Sequence, residues 1–268
     1  MINFKGGTPI TPPSSFIQHL NPINWLRHFP KLLAPTGQSC MGCNNEAHIQ
    51  SSHLGLCDRC YNSLAWIRDI HCSRCGRYEN CPDCPRITDS PLTLNRSSVQ
   101  YNSDMREMLA RYKYRGDEQL CDLFAEMLCY SYALTQQTDP TPRRTQEILT
   151  YVPLSSARLV ERGFNQAEQM AQSLGAKLRL PVVPLLLRNR HTEKQSLKSR
   201  NERLLDLQHV FAIDLVGREQ LTSLPITTAP RIYIIDDVYT TGSTLAECAS
   251  IIQESVPFAS VYGLTWAR

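Results

Sequence analysis

The sequence predicts an α/β fold, a mostly parallel sheet flanked by helices and preceded by a small cysteine-rich module. Three observations carry this. Ile232-Tyr-Ile-Ile235 is a short apolar run free of Gly and Pro, the pattern of a strand buried on both faces of a parallel sheet. It stops at two adjacent carboxylates, Asp236 and Asp237, and after Thr240-Thr241-Gly242-Ser243-Thr244 the chain resumes at helical spacing from Leu245 to Ile252. Upstream, four Cys-x-x-Cys pairs fall between residues 40 and 84.

A chain of 268 residues accommodates one α/β domain of ordinary size and a small module. The net charge of +3 rules out a polycation overall, yet ten Lys or Arg stand against four Glu between Arg158 and Arg203. Such a local excess suits a polyanion, pyrophosphate or nucleic acid, and some of it serves simply as solvated helix surface. The longest apolar stretch, Leu180–Leu187, is short and broken by two prolines, so no integral membrane segment is expected. With no signal-peptide pattern either, the expected location is the cytoplasm, where eleven cysteines would be thiols or metal ligands rather than disulfides.

In chain order, residues 1–39 read as a Gly/Thr/Pro-rich tail followed by a short amphipathic helix carrying Phe16, Ile17, Leu20, Trp25, Leu26 and Phe29. Residues 40–86 hold Cys40, Cys43, Cys57, Cys60, Cys72, Cys75, Cys81 and Cys84. Two such pairs complete one tetrahedral thiolate site, so four imply two structural zinc ions in a double zinc ribbon; an iron–sulfur cluster fits four separate knuckles less well. Sequential pairing is the economical scheme; a cross-braced one has the same spacing. Trp66, Tyr61 and Tyr78 with Arg59, Arg68, Arg74, Arg77 and Arg86 would either stack single-stranded nucleic acid or form the ribbon's own core. Cys121, Cys129 and Cys248 lie on apolar helix faces as core residues.

Arg86–Ser98, with its Pro and Ser, reads as a linker to a second domain spanning 95–268. Helical spacing runs from Ser103 to Leu134, interrupted by Lys113-Tyr-Arg-Gly-Asp117. Ile148–Val152 is a strand, followed by a helix from about Arg158 to Leu178. Pro181–Leu187 is a further strand, Phe211–Ile213 an edge strand and Val261–Trp266 the last one. Between them Arg188–Arg203 is polar and basic, a segment suited to closing over a pyrophosphate leaving group or to lying solvated on the surface.

The turn after Asp237 has the chemistry of an anion cradle. Gly242 allows close backbone approach, Thr240, Thr241, Ser243 and Thr244 add hydroxyls, and the following helix supplies free N–H groups. Two carboxylates would repel a phosphate, so they face a ribose diol or a Mg²⁺ ion. An ordinary capped strand–turn–helix is the plain alternative. Four apolar residues, two acids, two variable residues and Thr-Thr-Gly-Ser-Thr closely resemble the 5-phosphoribosyl 1-pyrophosphate (PRPP) motif of type I phosphoribosyltransferases. That resemblance implies Asp236 and Asp237 on the ribose hydroxyls and Thr240–Thr244 around the 5′-phosphate.

Across residues 40–268 the chain also resembles the ComF proteins. The likeness rests on the paired cysteines, Lys113–Asp117, Val152-Pro-Leu, Arg162-Gly-Phe-Asn-Gln-Ala-Glu168, Arg190-x-Thr192-x-x-Gln195, Glu202-Arg203 and the Asp236–Thr244 loop. Two positions depart from the pattern, a Leu arriving one residue early at Leu197 and Asp206 in place of Asn. The resemblance implies a zinc ribbon fused to a type I phosphoribosyltransferase domain. It further implies a part in natural transformation at the inner face of the membrane, handling imported single-stranded DNA beside a ComFA-like helicase ATPase. By position, Asp236, Asp237, Arg190 and Lys194 are the candidate catalytic residues; Arg162 joins the loop as a PRPP ligand, with Mg²⁺ accompanying PRPP. Pro153–Ser156, Arg158 and Arg188 are further candidates for the pyrophosphate. Purine-salvage relatives carry an acid where this chain has Thr240, which disfavours a purine acceptor but not catalysis. The function is therefore either phosphoribosyl transfer to an unidentified acceptor or non-catalytic PRPP sensing by a DNA- or helicase-binding adaptor.

Overall fold

The computed structural model describes residues 38–87, 89–142, 145–188, 210–226 and 228–268. The amphipathic segment at 14–29 and the positions Arg190, Thr192, Lys194, Gln195, Leu197, Glu202, Arg203 and Asp206 lie outside the described residues.

A two-residue hairpin, β1 (Gln38–Ser39) and β2 (Glu46–Ala47), opens the cysteine region, followed by the short helix α1 (Asp58–Asn62). The sheet begins with β3 (Leu94–Val99). Helices α2 (Ser103–Tyr114) and α3 (Leu120–Thr138) follow, then β4 (Glu147–Tyr151), α4 (Ser156–Arg162) and α5 (Gln166–Leu178). Strands β5 (Leu186–Arg188) and β6 (Phe211–Ile213) form an antiparallel pair, and α6 (Leu215–Ser223) leads to β7 (Arg231–Val238), α7 (Ser243–Ser255) and β8 (Ser260–Ala267).

The central sheet has the order β3-β8-β7-β4, every pair parallel. Alternation divides its side chains between two cores. Tyr233, Ile235, Leu149, Tyr262 and Leu264 pack towards α2, α3 and α5, while Ile232, Ile234, Ile148 and Val261 pack towards α7, β5 and β6. Both faces are covered, which explains the unbroken apolar run in β7; each such side chain contributes about 1.5–3 kcal/mol on burial.

Three segments differ from the sequence reading. The expected linker 86–98 contains β3, whose six residues are all buried although four are polar. The polar groups find partners: Ser97 Oγ meets Thr265 Oγ1 at 2.6 Å, Ser98 Oγ donates to the Met127 carbonyl at 2.7 Å, and Asn95 Nδ2 reaches Ser97 Oγ at 3.1 Å. Pro181–Leu187 is not one strand. Only Val182 bridges β4, in parallel to Leu149, before Pro184 interrupts the run and β5 pairs elsewhere. The single helix expected from Arg158 breaks into α4 and α5 at Gly163, which takes φ 79°.

The cysteine region is joined to this sheet. Trp66 bridges Val99 antiparallel, Ile67 N–H donates to Ser98 O at 2.9 Å and Gln100 N–H to Ala65 O at 2.8 Å, covering the β3 edge. Cys40, Leu56 and Leu64 belong to the same core cluster as Phe124 and Trp266. Trp66 also stands edge-on to Tyr130, 5.1 Å between centroids, and Tyr61 stacks on His53, so both rings are engaged in packing.

Candidate functional site

β7 ends at the carboxyl edge of the sheet, where open α/β folds bind their ligands. Asp236 and Asp237 are half-buried there, and the Asp237 N–H donates to Asp236 Oδ1 at 2.8 Å. Burial, then the neighbouring Asp237, pushes the Asp236 carboxyl up to about 7, against the opposing pull of the Asp237 amide, Lys113 and Arg188. Asp237 is ion-paired with Lys113 from the last turn of α2.

The turn that follows is open to solvent at Thr240, Thr241, Ser243 and Thr244. Gly242 sits at φ 82°, and a Cβ there would lie 2.0 Å from Tyr239 Oη, so the conformation and the space both require glycine. Thr241 Oγ1 and Ser243 Oγ are 3.0 Å apart, side by side. Helix α7 starts with no side chain at its cap position; the Ser243 N–H reaches Thr241 Oγ1 at 3.5 Å, and the next N–H groups are turned to the loop. A cavity of about 200 Å³ lies alongside, between Thr241–Ser243, Arg74 of the cysteine region, and Ile87, Pro91 and Leu92 of the segment after it.

Basic residues approach the acids from other elements. Arg188, at the end of β5, is half-buried; its guanidinium is lowered first by burial and then by Arg158, and Asp236 is among the acids opposing that shift. Among the described residues its Nε has no hydrogen-bond partner. Arg162 donates to Gln166 Oε1 at 2.7 Å and Tyr114 Oη at 3.1 Å, with Cζ 5.0 Å from the Tyr114 ring. Its partners are thus in the Lys113–Asp117 segment and α5, not in the loop. Asn165 in the same motif donates to Val152 O at 3.1 Å and accepts from Ala167 N–H at 3.0 Å, tying the end of β4 to the start of α5.

The eight paired cysteines gather into two groups, Cys40/Cys43/Cys57/Cys60 and Cys72/Cys75/Cys81/Cys84, the sequential scheme, each with its ligand atoms within 4.8 Å of one another. A tetrahedral zinc–thiolate site needs sulfurs about 3.8 Å apart. Cys43 and Cys57 Sγ are 4.0 Å apart, Cys75 and Cys81 Sγ 3.6 Å. Backbone amides point at the sulfurs, Gly42 and Cys57 N–H at Cys40 Sγ (3.3 and 3.1 Å) and Cys84 N–H at Cys81 Sγ (3.4 Å). The donor set and its spacing fit zinc.

A tetrathiolate zinc group carries net negative charge, and two arginines, one buried and one half-buried, lie beside the second one. Arg96, 1% exposed, donates to Ser73 O at 2.8 Å and Asn95 O at 2.6 Å. Burial lowers it to about 10, and the opposing charges acting on it are the Cys72 and Cys75 sulfurs. Arg268 donates to Cys75 O at 2.6 Å and lies over the Tyr239 ring at 4.7 Å. The acidic pair is different. One carboxylate is taken by Lys113, so Asp236 and Asp237 supply only part of a Mg²⁺ octahedron, and a ligand's oxygens would have to supply the rest.

Lys113 stands in a sequence motif without a role, and nothing in the sequence marks Arg111, Arg96, Tyr239 or Arg268. Their partners lie far away in the chain, and no local pattern announces them.

No protein-family model matches the chain. It is 33% identical to competence protein ComFC of Bacillus subtilis over 222 residues, 80% of this chain and 84% of that protein. It is 26% identical to competence protein F of Haemophilus influenzae over 236 residues, 85% and 96% of the two chains. With the DNA utilization protein YhgH of Escherichia coli K12 the identity is 25% over 208 residues, 75% and 85%. Among solved structures, glutamine PRPP amidotransferase from B. subtilis matches 63% of this chain and 31% of its own at 14% identity and a TM-score of 0.35. That likeness is too slight to add to the strand order seen directly. By its similarity to the B. subtilis protein over four-fifths of its length, the chain belongs to the ComF family.

Proposed function

We propose that the chain is a competence protein that binds PRPP with Mg²⁺ at the Asp236–Thr244 loop and two structural zinc ions at its cysteine groups. The observation that carries this reading is the loop itself: two carboxylates, a left-handed Gly242 and an uncapped helix start in one turn at the carboxyl edge of a parallel sheet. The ribose hydroxyls would donate to Asp236 and Asp237. The 5′-phosphate would take the α7 amides and the hydroxyls of Thr241, Ser243 and Thr244. Mg²⁺, when bound, supplies positive charge to the pyrophosphate as it departs. Arg188, whose guanidinium feels the Asp236 charge, and Arg190 and Lys194, which follow it in the chain, would be the basic groups that receive that charge.

Two relatives are named competence proteins and a third a DNA utilization protein, which supports a role in handling imported DNA. Partners of that role would be single-stranded DNA and a ComFA-like ATPase. A cytoplasmic place, peripheral at the inner face of the membrane, belongs to the same proposal. Among the described residues no helix is long and apolar enough to cross a membrane.

Calorimetry of the zinc-loaded protein with PRPP and Mg²⁺, beside Asp236→Asn/Asp237→Asn, tests the site. Saturable binding that the double variant loses is the expected result; no binding by the intact protein, or equal binding by both, would overturn it. Acceptor-dependent pyrophosphate release would then establish transfer, and PRPP-modulated DNA binding without turnover would establish an adaptor.

A further inference from the structure

Helix α2 touches two sites that the sequence keeps far apart. Arg111 donates to the carbonyls of Gly42 and Met41, both inside the Cys40-x-x-Cys43 knuckle, and to Asn44 Oδ1 at 3.0 Å. Its guanidinium is 10% exposed and its charge is met by Asp117. Two residues on, Lys113 pairs with Asp237, the side chains 17% and 18% exposed. Positions i and i+2 point about 200° apart on a helix. The last turn of α2 therefore has one side on the first four-cysteine group and the other on the acidic pair.

Neither end is free to drift. Gly42 is wedged against Cys60, where a Cβ would lie 2.9 Å from both Cβ and Sγ, so the carbonyls that Arg111 holds move with the sulfurs. Tyr112, between the two basic residues, is wholly buried and donates to Gln169 Oε1 at 2.9 Å, which fixes the helix against α5. Asp236 and Asp237 are adjacent carboxylates, and Lys113 is the only cation ion-paired to either among the described residues.

We propose that Lys113 is a positioning residue for Asp237, and that α2 makes its placement depend on the first four-cysteine group being closed around its metal. This rests on the reading of the loop as the PRPP site. Lys113 draws the Asp237 carboxylate to one side and offsets the repulsion within the pair, leaving its second oxygen aimed for a ribose hydroxyl. Opening the cysteine group releases the Arg111 grip and leaves Tyr112 as the remaining hold on the turn that carries Lys113, which then swings more widely about it. By linkage, a ligand on the acids also tightens the metal in the first group.

Two measurements on the full-length zinc-loaded protein test this. In PRPP titrations, Lys113→Met should weaken binding about tenfold or more, and Lys113→Arg should restore it to within about threefold. Arg111→Met should cost about as much, and the double variant little more than either single, because both act along one path. In the second measurement, zinc release to a chelator is followed without PRPP. Half of the zinc should leave at least about fivefold faster from Arg111→Met and Lys113→Met than from the unaltered protein, the other half at an unchanged rate. Equal or tighter PRPP binding by Lys113→Met, additive losses in the double variant, or unchanged zinc release would each overturn the proposal. Failure of the unaltered protein to bind PRPP would sink the reading of the loop instead, and the zinc-release arm would still decide whether α2 links the two sites.

Discussion

Asp236→Asn separates what the acid does for a ligand from what it costs the fold. Burial and the adjacent Asp237 push its carboxyl up to about 7 in the folded protein, whereas an unfolded Asp titrates near 3.9. Below about pH 4 both states are protonated and the residue costs nothing. Between about pH 4 and 7 the unfolded chain gives up a proton that the folded chain retains, so stability falls as pH rises through that window. Above 7 the folded carboxyl is ionised and the full cost stands. The rise from about 3.9 to about 7 corresponds to about 4 kcal/mol, taken as a ceiling. At roughly 2–4 °C per kcal/mol for a chain of this size, the ceiling is about 8–16 °C. Asparagine mimics the protonated acid and escapes this cost. Thermal melts of the ligand-free protein should therefore coincide near pH 4 and diverge with rising pH, the variant melting about 5–10 °C higher at pH 8 while losing PRPP affinity. A melting difference that is flat across pH 4–8, or a variant less stable at pH 8, would refute the reasoning.

Other expectations concern the loop and the joint beneath it. Gly242→Ala meets both a left-handed φ and the Tyr239 hydroxyl, so it should abolish detectable PRPP binding. Adding Tyr239→Phe should relieve the contact but not the backbone strain, giving at most partial recovery in the same titration. Arg96→Ala leaves the Ser73 and Asn95 carbonyls without their buried donor, at about 1–3 kcal/mol each. A fall in melting temperature of about 5–15 °C is expected, and a fall below about 2 °C would mean that these contacts are replaced by water.

What could be read in advance was whatever the chain writes locally. β7 and β8 appear as apolar runs because both faces of the sheet are covered. The cysteine groups follow from x-x spacing, and the loop after Asp237 follows from small and hydroxylated residues before a helix. β3 was missed for a physical reason. Asn95, Arg96, Ser97 and Ser98 look like linker, and only their partners Thr265, Thr138, Met127 and Ser131 on distant segments make burial affordable. Pro181–Leu187 misled in the opposite sense, since its apolar content belongs to a core but Pro184 denies it a ladder. The acids were identified from the sequence, but the cation that holds one of them was not. Lys113 lies 124 positions before Asp237, and ion pairing at that separation has no sequence period.

The same long-range contacts bear on whether the cysteine region is an appendage. Repeating Cys-x-x-Cys pairs ahead of an α/β pattern suggest a module that could be removed. The contacts argue otherwise. Trp66 and Ile67 occupy the outer edge of β3, Cys40, Leu56 and Leu64 complete the core under α2 and α3, and Arg268 reaches back from the end of β8 to Cys75. Without residues 40–86, β3 would present an unpaired edge and the core would lose three buried side chains, at about 1.5–3 kcal/mol for each leucine. A chain shortened to 90–268 should therefore aggregate or lack a cooperative melt, measured by calorimetry and sedimentation. Were it instead to melt sharply as a monomer and bind PRPP, the cysteine groups would be a separable module, and the link through α2 would have to be abandoned.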